Sequence, residues 1–275
     1  MSEPTYYFVA IDVAQRDSPS VSERMFELGA DGIEERDENT LVRGAPDKVT
    51  LVASFSTEAK ARIAKRALGS RARIERLLGD AWRDAWKEHF RPFRLCKGLW
   101  VRPPWQAHRA KRGETVLVLE PGRAFGTGLH ETTRLVAQAI GAVRGLHVLD
   151  VGTGSGILSL VALAFGARSA VGIDIDADAI DVANENSKRN AMLKRASFST
   201  TPLAKVTGTF GLVLANIEAD VLVAHEKALR ARMARGGRLV LSGILDSREA
   251  DVRAAFGKPK ARAKLGEWVA LTYAS

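Results

Sequence analysis

The chain has 275 residues, 46% of them hydrophobic and 27% charged, with a formal net charge of +9 and no low-complexity tract; this is a globular composition with room for one large domain or two unequal ones. No apolar run approaches the roughly 20 residues that cross a membrane, and "MSEPTYYFVA" lacks the basic-then-apolar order of a secretory leader, so a cytoplasmic location is expected. Cys96 is the only cysteine and the histidines (His89, His108, His130, His147, His225) are scattered, which excludes internal disulfides and thiolate clusters and leaves no metal site expected.

In chain order, "YYFVAIDV" reads as a strand and "SPSVSERMFELG" as a helix stopped at Gly29. "GIEER" and "NTLVRG" are short and extended, and "VTLVASF" is a strong strand. "TEAKARIAKRALG" is a helix capped by Thr57 and ended by Gly69, and "RARIERL" is extended again. The order βαββαβ predicts a small ferredoxin-like α+β domain over residues 1–77. A linker helix and leading strands over 78–120 follow, in which Trp82, Trp86 and Phe90 recur at helical spacing and read as core where two domains join. Residues 121–275 read as the catalytic domain. There "HVLDV", "AVGIDI", "FGLVLANI" and "GGRLVLSGIL" are near-continuous apolar strands separated by helical segments, the last of them "ADVLVAHEKALRARMA". That alternation predicts an α/β fold with a parallel, doubly wound sheet covered on both faces, which binds ligands at the carboxyl ends of its strands. The basic residues concentrate between Lys60 and Arg112 and between Arg230 and Lys264; without an RNA-binding aromatic motif beside them they read as solvated surface, and direct nucleic-acid binding is not expected.

Two glycine clusters carry the chemistry. "EPGRAFGTGLHETTRL" lacks the Lys of a phosphate-binding P-loop and its glycines are too closely spaced for one. "LDVGTGSGIL" sets Asp150 before Gly152, Gly154 and Gly156, between a strand and a helix, where bare backbone N–H groups meet a ligand. Asp174 ends the next strand about 20 residues on, the place of a carboxylate that accepts from ribose hydroxyls. A dinucleotide loop would have its third glycine at Ile157. The spacing, with an acidic residue at Asp150, favours S-adenosyl-L-methionine, which has a ribose and an amino-acid tail but no phosphate. Asn216 ends the fourth strand at the same face and could orient an amine nucleophile through its amide oxygen; its alternative is to cap the following helix.

"AFGTGLHETT", "DVGTGSGIL", "GIDIDADAI", "ANI" and "GGRLVLSGIL" stand in the order and spacing of the bacterial ribosomal protein L-eleven methyltransferases, and "DAWKEHFRPFRL", "LWVRPPW" and "GEWVAL" are similar to further segments of that family. The resemblance spans about residues 80–275. It implies a Rossmann-like, class I S-adenosylmethionine-dependent methyltransferase. It further implies cofactor contacts at Thr133, Gly152, Asp174 and Asn216, with Thr127, Gly128 and His130 near the reacting end, and Gly154 belongs to the same loop. The implied substrate is ribosomal protein L-eleven, recognised by the N-terminal domain and methylated on lysine side chains and its N-terminal amine. Glu120 and Thr153 depart from the family's usual Asp and Cys.

Methyl transfer needs a neutral amine. For a lysine of pKa about 10.4 at pH 7 neutrality costs roughly 4 to 5 kcal/mol, and for an N-terminal amine about 1 to 1.5 kcal/mol. Desolvation beside a cationic sulfur and positioning supply what a strong base otherwise would. Asn216 is the candidate to orient the amine, with the Ile217 carbonyl as second acceptor. His130 is a candidate to take the released proton, its alternative being a structural hydrogen bond, and Glu218 a candidate to hold a cationic amine. A methyltransferase of the same family acting on another protein is the alternative function. No extended apolar face suggests an obligate dimer, so a monomer is expected.

Overall fold

The computed structural model describes residues 5–36, 48–78, 91–120 and 128–275. "NTLVRG", the Trp82–Trp86–Phe90 stripe and Thr127 lie outside the described residues. The chain divides into two compact units, Met1–Arg91 and Pro92–Ser275. No helix among the described residues is long and apolar enough to cross a membrane.

The first unit runs β1 (Thr5–Ala14), α1 (Ser18–Glu27), β2 (Gly32–Arg36), β3 (Lys48–Phe55), α2 (Glu58–Leu68) and β4 (Arg73–Leu78). Its antiparallel sheet has the order β2-β3-β1-β4, as the βαββαβ reading requires. Thr57 caps α2 by accepting the Lys60 N–H at 3.3 Å. Alternate residues of β1 (Val9, Ile11, Val13) and of β3 (Val49, Leu51, Ala53) face one way and bury Met25 of α1 and Ala61 and Ala64 of α2.

The second unit opens with β5 (Phe93–Cys96), β6 (Leu99–Arg102) and β7 (Thr115–Val118), which form their own three-stranded sheet. It continues with α3 (Glu131–Ala139), β8 (His147–Val151), α4 (Ile157–Ala164), β9 (Ser169–Ile173), α5 (Ala177–Arg189), β10 (Ala196–Ser199) and β11 (Phe210–Asn216). It closes with α6 (Ala219–Ala224), α7 (Glu226–Ala231), β12 (Met233–Leu245), α8 (Glu249–Phe256), β13 (Ala261–Leu265) and β14 (Trp268–Ala274). The seven-stranded sheet has the order β10-β9-β8-β11-β12-β14-β13.

Side-chain alternation explains why these strands read as continuous apolar runs. Along β11, Leu212 and Leu214 join one core with Val148, Leu160, Val161 and Val240, while Val213 and Ala215 join the other with Leu149, Ile173, Leu239 and Leu241. Both faces are covered, so both sets of side chains are apolar. Helix α4 is buried from Ile157 to Leu163 because Leu99, Val101 and Leu117 of the small sheet share its core. The strands read as leading into the catalytic domain are therefore part of that unit's packing.

The sheet is mixed rather than wholly parallel: β14 runs antiparallel to both β12 and β13. A short turn at Gly266 and Glu267 joins β13 to β14, and strands joined so tightly can pair only antiparallel. The segment read as one helix is two, α6 and α7, broken at His225.

Candidate active site

Register builds the site. Val151 of β8 pairs with Ile173 of β9 and with Ala215 of β11, so the next residues in the chain, Gly152, Asp174 and Asn216, leave the sheet at one level of its carboxyl end. Asn216 itself pairs with Ser242 of β12. Strand order reverses between β8 and β11, which is where an open α/β sheet leaves a crevice for a ligand.

The glycine loop is tied down from below. Thr153 Oγ1, Ser159 N and Ser159 Oγ donate to one oxygen of Asp150 at 2.7, 3.1 and 2.8 Å. Asp150 is fully buried, and burial pushes its carboxyl above the usual range against the pull of those donors. Oδ2 holds the loop, and Oδ1 is buried without a partner. Gly152 and Thr153 both donate to Ile173 O, at 2.9 and 3.0 Å, which clips the loop to the end of β9.

Asp174 completes that clip from the other side. Gly154 N donates to Oδ2 at 2.8 Å and Asp176 N to Oδ1 at 3.1 Å. Each carboxylate oxygen thus uses one acceptor site on the backbone and keeps another, a good match to two ribose hydroxyls. Ile175, next in the chain, is 100% exposed. An aliphatic side chain held in solvent beside a carboxylate with open acceptor sites would suit the flat face of a base. Its pattern in the chain does not mark it, because an Ile after a strand is ordinarily core.

Asn216 does not cap the next helix. The N-cap of α6 is Glu218, which makes no side-chain cap bond and is exposed. The Asn216 amide oxygen is buried and has no hydrogen-bond partner. A buried acceptor left unmade costs about 1 to 3 kcal/mol, which a bound donor at this strand end would recover; Asp150 Oδ1 and the Tyr273 hydroxyl are buried without a partner too.

The other candidates gather on α3, which packs against β11, β12 and β14. Thr133 Oγ1 is buried and likewise without a partner. His130 is the N-cap of α3: its Nδ1 accepts the Thr132 N–H at 3.3 Å, and its ring meets Trp268 edge-on at 5.0 Å. An Nδ1 that accepts an N–H has its lone pair engaged, so taking up a proton there would break the cap. Gly128 is a packing glycine, where a Cβ would stand 2.7 Å from Cδ1 of Ile157 and 3.1 Å from Cζ of Phe93.

Asn186 links the two glycine clusters. Fully buried, it accepts the Glu120 N–H at 3.2 Å and donates to Ser155 O of the glycine loop at 3.0 Å. Asn190, one turn on, pairs with the backbone of Val118 through both amide atoms, at 2.8 and 2.7 Å. Neither asparagine stands out in the sequence, since nothing local distinguishes a buried amide from a polar helix face.

The antiparallel β14 separates this sheet from a dinucleotide-binding domain, whose six strands run in the order 3-2-1-4-5-6. Fold and site together define the Rossmann-like methyltransferase class. A family profile described as "Ribosomal protein L11 methyltransferase (PrmA)" matches residues 5–275. A relative of that name from Sorangium cellulosum (strain So ce56) is 51% identical over 265 residues, covering 92% of this chain and 84% of its own. One from Geobacter sulfurreducens is 41% identical over 269 residues, covering 88% and 84%. The crystal structure of ribosomal protein L11 methylase from Lactobacillus delbrueckii subsp. bulgaricus matches with a TM-score of 0.63 and 30% identity over 68% of this chain and 98% of that one. The chain belongs to the ribosomal protein L11 methyltransferase family.

Proposed function

We propose that this enzyme transfers methyl groups from S-adenosylmethionine to amino groups of ribosomal protein L-eleven, on lysine side chains and at the N-terminus, in the cytoplasm. The observation that carries the reading is the buried, unpartnered amide oxygen of Asn216 at the strand end beside the glycine loop. The names of the relatives support the choice of substrate.

The residues present fit the cofactor. The Gly152 and Gly154 N–H groups are taken by Ile173 O and Asp174 rather than left bare, so the loop offers glycine Cα atoms, Asp174 two open acceptor sites, and Thr133 a buried hydroxyl without a partner. S-adenosylmethionine supplies a methyl group on a cationic sulfur. The chain's own part is to bind a neutral amine and aim it. Asn216 Oδ1 accepts one amine N–H and the Ile217 carbonyl a second, which fixes the lone pair in one direction. The acceptor pair aims the amine; the neutral form is favoured by desolvation beside the cationic sulfur, and the proton leaves to solvent. We assign His130 to positioning, as the cap that holds the first turn of α3 and with it Thr133. We assign substrate recognition to residues 1–77 and the chemistry to the unit that carries Asn216.

Asn216→Ala tests the reading. It is expected to lower kcat on ribosomal protein L-eleven about 100-fold while calorimetric affinity for S-adenosylmethionine stays within a few-fold. An unchanged kcat would remove Asn216 from the site. Full cofactor affinity with no methylation of ribosomal protein L-eleven by the unaltered enzyme would move the substrate to another protein.

A further inference from the structure

Between the glycine loop and β12 lies Ile217, the residue after Asn216, and it has no slack on either side. A Cβ at Gly152 would stand 2.3 Å from its Cγ2. A Cβ at Gly243 would stand 2.4 Å from its carbonyl oxygen, 2.8 Å from its carbonyl carbon and 3.0 Å from its nitrogen. One glycine thus borders the side chain and the other the backbone. Both have positive φ, 69° at Gly152 and 81° at Gly243.

The surroundings show why β12 comes so close. Its pairing with β14 shifts register between Leu241 and Ile244, a bulge that bends the strand at Ser242 and Gly243. Ser242 Oγ donates across the bend to Val269 O at 3.0 Å, and Ser242 O accepts the Ile217 N–H at 3.2 Å. Ile217 is also β-branched, so its side chain resists turning away from Gly152.

We infer that Gly243 is a positioning residue for methyl transfer: by lacking a side chain on the bent β12, it lets the Ile217 peptide seat against the strand and so sets the direction of the Asn216 amide and the Ile217 carbonyl. This rests on the role of Asn216 proposed above. Gly243 borders the Ile217 peptide and not Gly154 or Asp174, so its loss should fall on turnover rather than on cofactor binding. A displacement of about 1 Å in a reacting group costs up to about 100-fold in rate.

The test is Gly243→Ala with Gly257→Ala as control. Gly257 has a φ of 75°, and a Cβ there would have nothing within 4 Å, so it too holds a positive φ but without the collision. Three quantities are read: kcat on ribosomal protein L-eleven, calorimetric affinity for S-adenosylmethionine, and the NMR signals of the Asn216 side-chain amide in ligand-free protein. Gly243→Ala should lower kcat at least tenfold, keep cofactor affinity within threefold and move the Asn216 amide signals. Gly257→Ala should do none of these. Equal kcat in the two variants, or unmoved amide signals, overturns the inference. Should Gly243→Ala not fold, Ser242→Ala loosens the bend that seats the Ile217 peptide by removing the bond to Val269 O. It should lower kcat with cofactor affinity kept, and an unchanged kcat again overturns the inference. If the unaltered enzyme leaves ribosomal protein L-eleven unmodified, the substrate reading fails, and the amide signals alone decide the role of Gly243.

Discussion

Asp150 shows how a buried carboxylate can hold a glycine loop from beneath. Three donors converge on one of its oxygens, and all three belong to the glycine loop or the first turn of α4. Asp150→Ala would leave two hydroxyls and a peptide N–H buried and unmade. It is expected to cost about 3 to 5 kcal/mol in urea unfolding, and Asp150→Asn, which keeps an acceptor, much less. Equal losses in the two would mean that the charge, not the acceptor, holds the loop. His130 is read the same way. His130→Asn replaces one good N-cap by another and should keep most of kcat, whereas a large loss would assign His130 to proton transfer. Tyr273 carries a pH signature. Its hydroxyl is buried without a partner, and burial pushes its pKa up to about 12 from 10.0, against the pull of Arg230. The neutral phenol is favoured in the folded state, so this contribution is complete below pH 10 and is lost as pH rises through 12. Tyr273→Phe should therefore flatten the fall in stability between those pH values and leave stability at pH 7 unchanged or slightly higher. A fall as steep as before would place the alkaline sensitivity elsewhere.

At the scale of elements, α3 is held at both ends. His130 caps its start, and Arg238 of β12 donates to the carbonyls of Ala139, Ile140 and Ala142 at 3.4, 2.7 and 3.0 Å at its end. A cation at a helix C-terminus also answers the helix dipole. Arg238→Met is expected to destabilise by about 1.5 to 3 kcal/mol, and a loss under half that would show the α3 C-terminus to be held by packing alone. The elements that could be read from sequence are those whose pattern is local: Thr57 and Gly69 around α2, the apolar runs of β8, β9, β11 and β12, and the glycine loop after β8. β13 escaped because all five of its residues are exposed and its Arg262 and Lys264 pair with Asp246 and Glu249, so it has no apolar alternation to detect. β10 is only four residues long. Motif spacing is enough to put Gly152, Asp174 and Asn216 forward as candidates, and the strand register brings them to one level of the sheet. The exposure of Ile175, the Asn186 bridge and the seat of Ile217 between two glycines depend on contacts distant in sequence, which no local pattern encodes.

Across the whole molecule, each unit has its own core: Val9, Leu51 and Met25 anchor one, and the two faces of the seven-stranded sheet anchor the other. All the described candidate site residues lie in the second. A chain of residues 92–275 is accordingly expected to bind S-adenosylmethionine yet fail to methylate ribosomal protein L-eleven at substrate levels near the full chain's KM. Full activity in the shortened chain would take substrate recognition away from residues 1–77. The central claim, an amine methyltransferase built around Asn216, is tested most directly by intact-mass spectrometry of ribosomal protein L-eleven after incubation with S-adenosylmethionine and either the unaltered enzyme or Asn216→Ala. The account predicts mass gains in whole methyl units with the unaltered enzyme and little or none with the variant over the same time. Equal gains with both would contradict it.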